Sequence, residues 1–212
     1  SEEKEWIRSG PQGSVLTPLI WAVVFSEIAN LARDETESKL FVDDLGMVME
    51  AGNSIEEWDD AVERTQRAVD TLVLFCRRWG LVLNTGKTKV IVFSRNKKWR
   101  QRGFAIWAGS KVKLERVDHY KYLGMILDDK IDLRKHCAML EKKMKGRVGM
   151  ILRLSGWSWG CPPDRLVTLL KGAVESLMAH TLWAHELYSN TWKRKMQVIR
   201  TQACRKAYRL HQ

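Results

Sequence analysis

Cysteine, proline and long apolar runs are all scarce in this chain. Of 212 residues only four are cysteine and four proline. Cys76, Cys137, Cys161 and Cys204 are widely spaced with no C-x-x-C pair. That argues against a disulfide scaffold or a cysteine-based zinc cluster and fits a reduced intracellular compartment, nuclear or cytoplasmic. The longest largely apolar run, Leu16 to Phe25, is about ten residues and holds a proline, too short to span a bilayer. Acidic residues are scarce in one part only. Residues 1–129 carry 19 Lys/Arg against 20 Asp/Glu, whereas residues 130–212 carry 17 against 5. The formal excess of +11 therefore lies in the last 83 residues, as an electrostatic footprint for a polyanion such as nucleic acid requires.

The apolar content, 45%, is enough for a packed core in one large domain or two small ones. Ser9 to Pro18 (SGPQGSVLTP) is rich in glycine and proline and reads as a loop, followed by a helix from about Leu19 to Ala32. Leu40–Val42 and Gly46–Met49 read as two short strands around an Asp-Asp turn. Ser54 to Trp79 has the clearest helical signal. Ser54 and Glu57 make a capping box, and Ile55, Trp58, Val62, Val69, Leu72, Val73, Cys76 and Trp79 recur on one face, with Gly80 as the stop. Trp58 and Trp79 are expected in the core. Leu81–Leu83, Val90–Phe93, Phe104–Trp107, Lys111–Glu115 and Tyr122–Leu127 read as strands. From Asp132 onward the chain reads as helical, broken at Ser155 to Pro163. The expected organisation is α+β, with a boundary near Asp129: an α+β unit over residues 1–129 and a basic helical unit over 130–212.

The chemistry centres on KLFVDDLGMVME, Lys39 to Glu50. Asp43 and Asp44 interrupt an apolar run, so they must be solvated, paired or bound to a cation. Carboxylates at a hairpin tip suit Mg²⁺, which takes oxygen ligands and commonly needs only one or two protein carboxylates plus substrate phosphates. The dipeptide alone is weak evidence, because Asp59-Asp60 and Asp128-Asp129 repeat it and a solvated turn is the ordinary reading. Its neighbours add to it. Upstream, Gly10-Pro11-Gln12-Gly13-Ser14 leads into a helix start, where backbone can approach phosphate. Downstream come GLVLNTGKTKVIVF, with Lys87 and Lys89 beside a strand, and YKYLGMILDD.

PQGSVLTP, then FVDD, then GLVLNTGKTKVIVF, then YKYLGMILD, in this order and spacing, resemble the reverse-transcriptase domain of non-LTR (LINE-type) retrotransposons, in the C-terminal half of its palm and its thumb. The resemblance implies a partial polymerase palm, with an antiparallel sheet and packed helices, followed by an α-helical thumb-like region. It implies Mg²⁺-dependent RNA-directed DNA polymerisation in the parent element, with Asp43 a catalytic metal ligand and Asp44 its less indispensable neighbour. Gln12, Gly13 and Lys87 would line the nucleotide and template pocket, Phe41 would pack behind the aspartates, and Leu123 and Gly124 would grip the primer end. Lys142, Lys143, Lys145, Arg147, Lys193, Arg194 and Lys195 would hold the RNA and DNA of the template–primer duplex by its phosphates.

The departures concern completeness. Such polymerases place a further essential aspartate and the fingers upstream of the PQG loop, and none of SEEKEWIRS is Asp. The expectation is thus a fragment with an incomplete Mg²⁺ site, inactive alone. Its exposed sheet edge would be covered by self-association, by a partner or by SEEKEWIRS. A non-catalytic, co-opted nucleic-acid-binding or protein-docking module is the alternative. NTGKTK is not a P-loop, since five residues rather than four separate Gly80 from Gly86 and a strand-like KVIVF follows. Trp157 and Trp159 read as a wedge at the helix junction before base-stacking groups. His180 and His185, five apart, do not share a helical face.

Overall fold

The computed structural model describes residues 15–31, 36–154, 159–179 and 187–208. The PQG loop with Gln12 and Gly13, the SEEKEWIRS segment, Trp157, His180 and His185 lie outside them. Elements are a mixture of helices and short strands, an α+β composition. Among the described residues no helix is long and apolar enough to cross a membrane. Packing divides the chain into two compact units, one of Ser1–Val90 with Arg102–Val117, the other of Ile91–Gln101 with Asp118–Gln212. The expected boundary near Asp129 and this packing boundary are different lines, because the hairpin ending at Asp128 packs with the helical part.

In the first unit, α1 (Thr17–Leu31) carries Pro18 in its first turn, where a missing N–H is tolerated. β1 (Glu37–Phe41) and β2 (Asp44–Val48) form an antiparallel hairpin. α2 (Ile55–Arg78) starts as its sequence requires: Ser54 Oγ accepts from Glu57 N–H at 3.1 Å, and Glu57 Oε2 accepts from Ser54 N–H at 2.9 Å. It ends in a Schellman motif, with Gly80 at φ +65°, Gly80 N–H donating to Arg77 O (3.2 Å) and Leu81 N–H to Cys76 O (2.7 Å). That cap explains two departures. Leu81–Leu83 is not a strand, because the Leu81 donor is engaged by the helix end. Trp79, the C-cap, is turned out of the core and is 44% exposed, unlike the buried Trp58.

The remaining strands are two-residue pieces. β3 (Lys89–Val90) pairs in parallel with β6 (Glu115–Arg116), and β4 (Trp107–Ala108) pairs antiparallel with β5 (Val112–Lys113). Val69 of α2, Ile106 and Leu114 form the buried cluster between them, with Val62, Val73 and Phe104 packed against it. The Gln66 side chain donates to Trp107 O and accepts from Trp107 N–H, both at 2.9 Å, completing the edge of β4 as another strand would. The antiparallel sheet expected from the resemblance is not continuous among the described residues: the strands form four separate two-stranded pairs, one of them parallel. The Gln66 contact satisfies one edge that a wider sheet would pair.

The second unit contains α3 (Lys97–Gln101), the hairpin β7 (His119–Tyr122) and β8 (Met125–Asp128), and α4 (Arg134–Leu152). Then come α5 (Pro163–Leu170), a π-turn at Lys171–Glu175, α6 (Ser176–Ala179) and α7 (Asn190–Ala207). Tyr122–Leu127 is thus not one strand but the two arms of a hairpin. Its turn is tight because Leu123 (φ 45°) and Gly124 (φ 84°) are both left-handed, as a two-residue type I′ turn demands. The core joins Leu140 and Met144 of α4, Leu166 and Leu170 of α5, and Trp192 and Met196 of α7. Pro163 opens α5 at its first position, and Ser189 caps α7 by accepting from Trp192 N–H at 3.2 Å.

Candidate functional site

The first hairpin turns on two residues, Val42 and Asp43, with Phe41 paired to Asp44 across it. Val42 has φ 58°. A β-branched residue is a genuine outlier there, and glycine normally takes this place in a two-residue hairpin loop. Alternation then sorts the side chains. Ser38, Leu40, Leu45 and Met47 are half-buried, and Leu45 and Met47 line an apolar gap with Ile28, Ala68, Leu72 and Phe75. The hairpin is thereby seated on α1 and α2, while the opposite face, with Phe41, Asp44 and Val48, is open. Phe41 is 59% exposed and stands beside Asp44 on that face, so it does not pack behind the aspartates.

Asp43 and Asp44 are both exposed and make no hydrogen bond or ion pair among the described residues. Their hard oxygen donors match what Mg²⁺ takes from a protein when phosphates complete its shell. Among the described residues no group of three or more His, Cys, Asp or Glu side chains is placed to hold a metal, so the hairpin offers part of a ligand set. The other Asp-Asp pairs are engaged. Asp59 accepts from Arg102 at 2.9 Å and Asp60 from Arg64 at 2.8 Å. Asp128 is buried and accepts from the N–H groups of Lys130, Asp132 and Leu133 at 3.1, 3.2 and 2.9 Å. Asp129 pairs with Arg100 at 3.2 Å.

Lys87 is an exposed residue closing the turn at Asn84, whose backbone and side-chain oxygens both accept Lys87 N–H at 3.1 Å. Two-residue β3 follows this turn, not a helix, which removes the P-loop reading. Leu123 and Gly124 are the two turn residues of the β7–β8 hairpin, with Leu123 exposed. That hairpin is fixed from two sides: His136, fully buried on α4, accepts Ile126 N–H at Nδ1 (3.2 Å), and Asp128 organises the loop into α4.

On α4, Lys142, Lys143 and Lys145 are exposed, whereas Arg147 is half-buried and donates to Ala173 O of the π-turn. Arg147 therefore serves packing, and its guanidinium is not presented like the neighbouring lysines. On α7, Arg194 and Lys195 are exposed and Lys193 is half-buried. Lys145 bonds Glu141 at 2.6 Å and holds its carboxyl below the usual range, with Lys195 adding to the effect, so basic groups of α4 and α7 meet around Glu141. Sequence reasoning missed a further cluster at the start of β7. His119 Nδ1 bonds Asp118, and Lys135 reaches His119 Nδ1 at 2.8 Å and Asp118 at 3.2 Å. Only the fold brings Lys135 to that pair. Val42 was missed too, since nothing in its side chain announces a left-handed backbone.

The family described as reverse transcriptase (RNA-dependent DNA polymerase) matches residues 3–127. Over 95% of its length the chain is 25% identical to an RNA-directed DNA polymerase from the mobile element jockey of Drosophila funebris, covering 22% of that protein. Over 78% it is 26% identical to a putative 115 kDa protein in the type-1 retrotransposable element R1DM of Drosophila melanogaster, covering 15% of it. Over 87% it is 24% identical to a retrovirus-related Pol polyprotein from the type-1 element R1 of Bradysia coprophila, covering 18% of it. The chain thus spans about a fifth of the length of these curated relatives. No solved structure matches it significantly.

Proposed function

We propose, for a chain that belongs to the reverse transcriptase (RNA-dependent DNA polymerase) family, that the Asp43–Asp44 hairpin tip supplies carboxylates to the Mg²⁺ of template-directed nucleotidyl transfer. The observation that carries this reading is that these two carboxylates alone, of three Asp-Asp pairs, are left without a protein partner among the described residues. When bound, Mg²⁺ would supply charge stabilisation for the attacking primer oxygen and the departing oxygen, with Asp43 and Asp44 as the residues that would hold it. Asp43 and Asp44 hold and orient it, and the anchored Leu45 and Met47 keep the tip in place. Two ions need carboxylates from more than one strand, so transfer requires ligands beyond this turn, and the chain alone is expected not to extend a primer.

Around that centre, residues 1–129 act as a partial palm and residues 130–212 as the thumb. Gln12, Gly13 and Lys87 are assigned to binding of the incoming nucleotide and template, and Leu123 and Gly124 to binding of the primer end. Lys142, Lys143, Lys145, Lys193, Arg194 and Lys195 contact duplex phosphates, which makes affinity fall linearly in log–log with salt. The partners are RNA and DNA, inside the cell, in nucleus or cytoplasm.

The test is Mn²⁺ in place of Mg²⁺, read as paramagnetic broadening of backbone amide signals. Broadening centred on Val42 to Leu45 and lost in Asp43→Asn supports the reading. Broadening spread over the acidic surface, unchanged by that substitution, would overturn it.

A further inference from the structure

The even charge balance of residues 1–129 averages over a strong local excess. Residues 71–114 carry eleven Lys/Arg and no Asp or Glu. α3 and the residues leading into it lie in that stretch and pack within the second unit. Packing sorts the cations around α3 into two kinds. Arg100 pairs with Asp129 at 3.2 Å and Arg102 with Asp59 at 2.9 Å, so both build the fold. Arg95, Lys97 and Lys98 are exposed and form no ion pair among the described residues. Trp99 is buried and, with Arg100, pins α3 from one side, which leaves Lys97 and Lys98 outside.

Ahead of α3, exposure alternates: Val92 and Ser94 are half-buried, Phe93 and Arg95 exposed. Ser94 fixes that order. Its N–H donates to Asp129 O (2.9 Å), and its Oγ accepts from Asn96 N–H (3.1 Å). Asn96 Oδ1 in turn accepts from Lys98 N–H at 2.9 Å. Phe93 is thereby held on the side of Arg95, 44% exposed and without a ring contact among the described residues.

We infer that Phe93, Arg95, Lys97 and Lys98 form a contact for a single-stranded stretch of nucleic acid, Phe93 stacking on a base and the cations meeting phosphates. A cationic strip with no acid of its own complements a polyanion. An acidic protein segment would satisfy the cations as well, but a carboxylate offers no planar face to Phe93. Every base has one, and the stacking tolerates any sequence. Bases in a duplex already stack on each other, so the unpaired strand is the form that fits. The inference stands apart from the Mg²⁺ reading of Asp43–Asp44 and from the duplex contacts assigned to α4 and α7.

The test is fluorescence anisotropy of the full chain with a labelled mixed-sequence strand of about 12 nucleotides, as RNA and as DNA, over a salt series. Arg95→Gln/Lys97→Gln/Lys98→Gln should weaken single-strand binding at least roughly tenfold and lower the log–log salt slope by about 2. Phe93→Ala should weaken it roughly tenfold with the slope unchanged and duplex binding intact, and Phe93→Tyr should restore it. Loss with RNA, with DNA or with both supports the strip and says which strand it takes. A triple variant that binds single strands like the parent would overturn the inference, even where Lys142→Gln/Lys143→Gln/Lys145→Gln abolishes duplex binding and so upholds the α4 contacts. Loss in the triple variant without loss in Phe93→Ala would overturn the single-strand assignment. Polyglutamate that competes as well as the oligonucleotide, mole for mole of charge, would overturn nucleic acid in favour of an acidic protein. All four side chains are exposed, so the variants should fold. Circular dichroism checks this, and Phe93→Leu, which keeps apolar bulk but has no ring, replaces Phe93→Ala if that variant does not fold.

Discussion

Asp43–Asp44 in the first unit and Asp128–Asp129 in the second each stand at the end of a hairpin strand, beside apolar neighbours. At the first hairpin both carboxylates are exposed and without a protein partner among the described residues. At the second, Asp128 collects three backbone N–H groups and Asp129 takes Arg100. The loop after Asp128 explains the contrast. Ile131 (φ 57°) and Leu133 (φ 54°) are left-handed, which turns the N–H groups of the loop inward onto one carboxylate. The turn at Asp43 has two residues and returns at once to strand pairing, so no donor reaches its side chain. A carboxylate filled by backbone donors builds the fold, and one left open is available to a ligand. Local donors make the difference, not the dipeptide.

Replacing Asp128 should have the largest effect. Asp128→Ala leaves three donors of a buried loop unsatisfied and should destabilise the second unit by about 3 kcal/mol. Asp128→Asn keeps one acceptor oxygen but turns an amide N–H₂ toward the remaining donors, for a loss of about 2 kcal/mol. Urea titration of tryptophan fluorescence reads both. Asp43→Asn and Asp44→Asn should change stability by no more than about 0.5 kcal/mol, as substitutions at an exposed tip do, while Mn²⁺ broadening at Val42 to Leu45 disappears in Asp43→Asn. The comparison breaks if Asp43→Asn costs as much as Asp128→Asn, since Asp43 would then be a building carboxylate as well.

The second Asp-Asp also shows where reading the sequence stops. Signals carried by neighbours along the chain were legible. The capping box and the stop at Gly80 stand where the sequence indicated, and so does a hairpin at the first Asp-Asp pair, although its turn is Val42–Asp43 and Asp44 already belongs to β2. The order of motifs was legible too, and the family match over residues 3–127 agrees with it. What depends on distant partners was not. Leu81–Leu83 has strand composition, but its first donor belongs to a helix cap. β4 pairs with β5 alone, and on it the Gln66 side chain, far along the chain, takes the place of another strand at Trp107. Arg147 looks like one more cation of a basic run until Ala173 O is found beside it. Left-handed Val42, Leu123, Ile131 and Leu133 carry no side-chain mark of their backbone, so neither tip strain nor the burial of Asp128 could be read in advance.

Val42 allows a sharper version of the comparison. Its left-handed backbone is strained, as is that of Ile131 in the loop after Asp128, but at Val42 the strain adjoins a carboxylate that no backbone donor fills. Val42→Gly removes the steric penalty of roughly 1–2 kcal/mol, and greater freedom of glycine in the unfolded chain offsets about half of it. A net gain of about 0.5–1 kcal/mol in the hairpin is expected from hydrogen exchange of β1 and β2 amides. If the tip is held stiff for a ligand, the same substitution should weaken Mn²⁺ broadening at Asp43. Stabilisation with undiminished metal response would mean that the strain serves only the turn.

The smallest effect belongs to a third kind of carboxylate, neither buried nor open. Asp118 lies exposed between His119 and Lys135, and hydrogen bonds from first His119 and then Lys135 hold its carboxyl down at about 2. The folded value lies below the ordinary 3.8, so whatever Asp118 contributes is present in full above that pH. It is lost as pH falls through about 2. In Asp118→Asn the stability of the second unit should therefore fall less steeply over that acid window, while near neutral pH the parent is the more stable by a small, salt-sensitive margin. Acid titrations of both proteins, followed by far-ultraviolet circular dichroism at low and high salt, read this difference. Superimposable acid limbs would show that water at the exposed cluster cancels the contacts of Asp118 with His119 and Lys135.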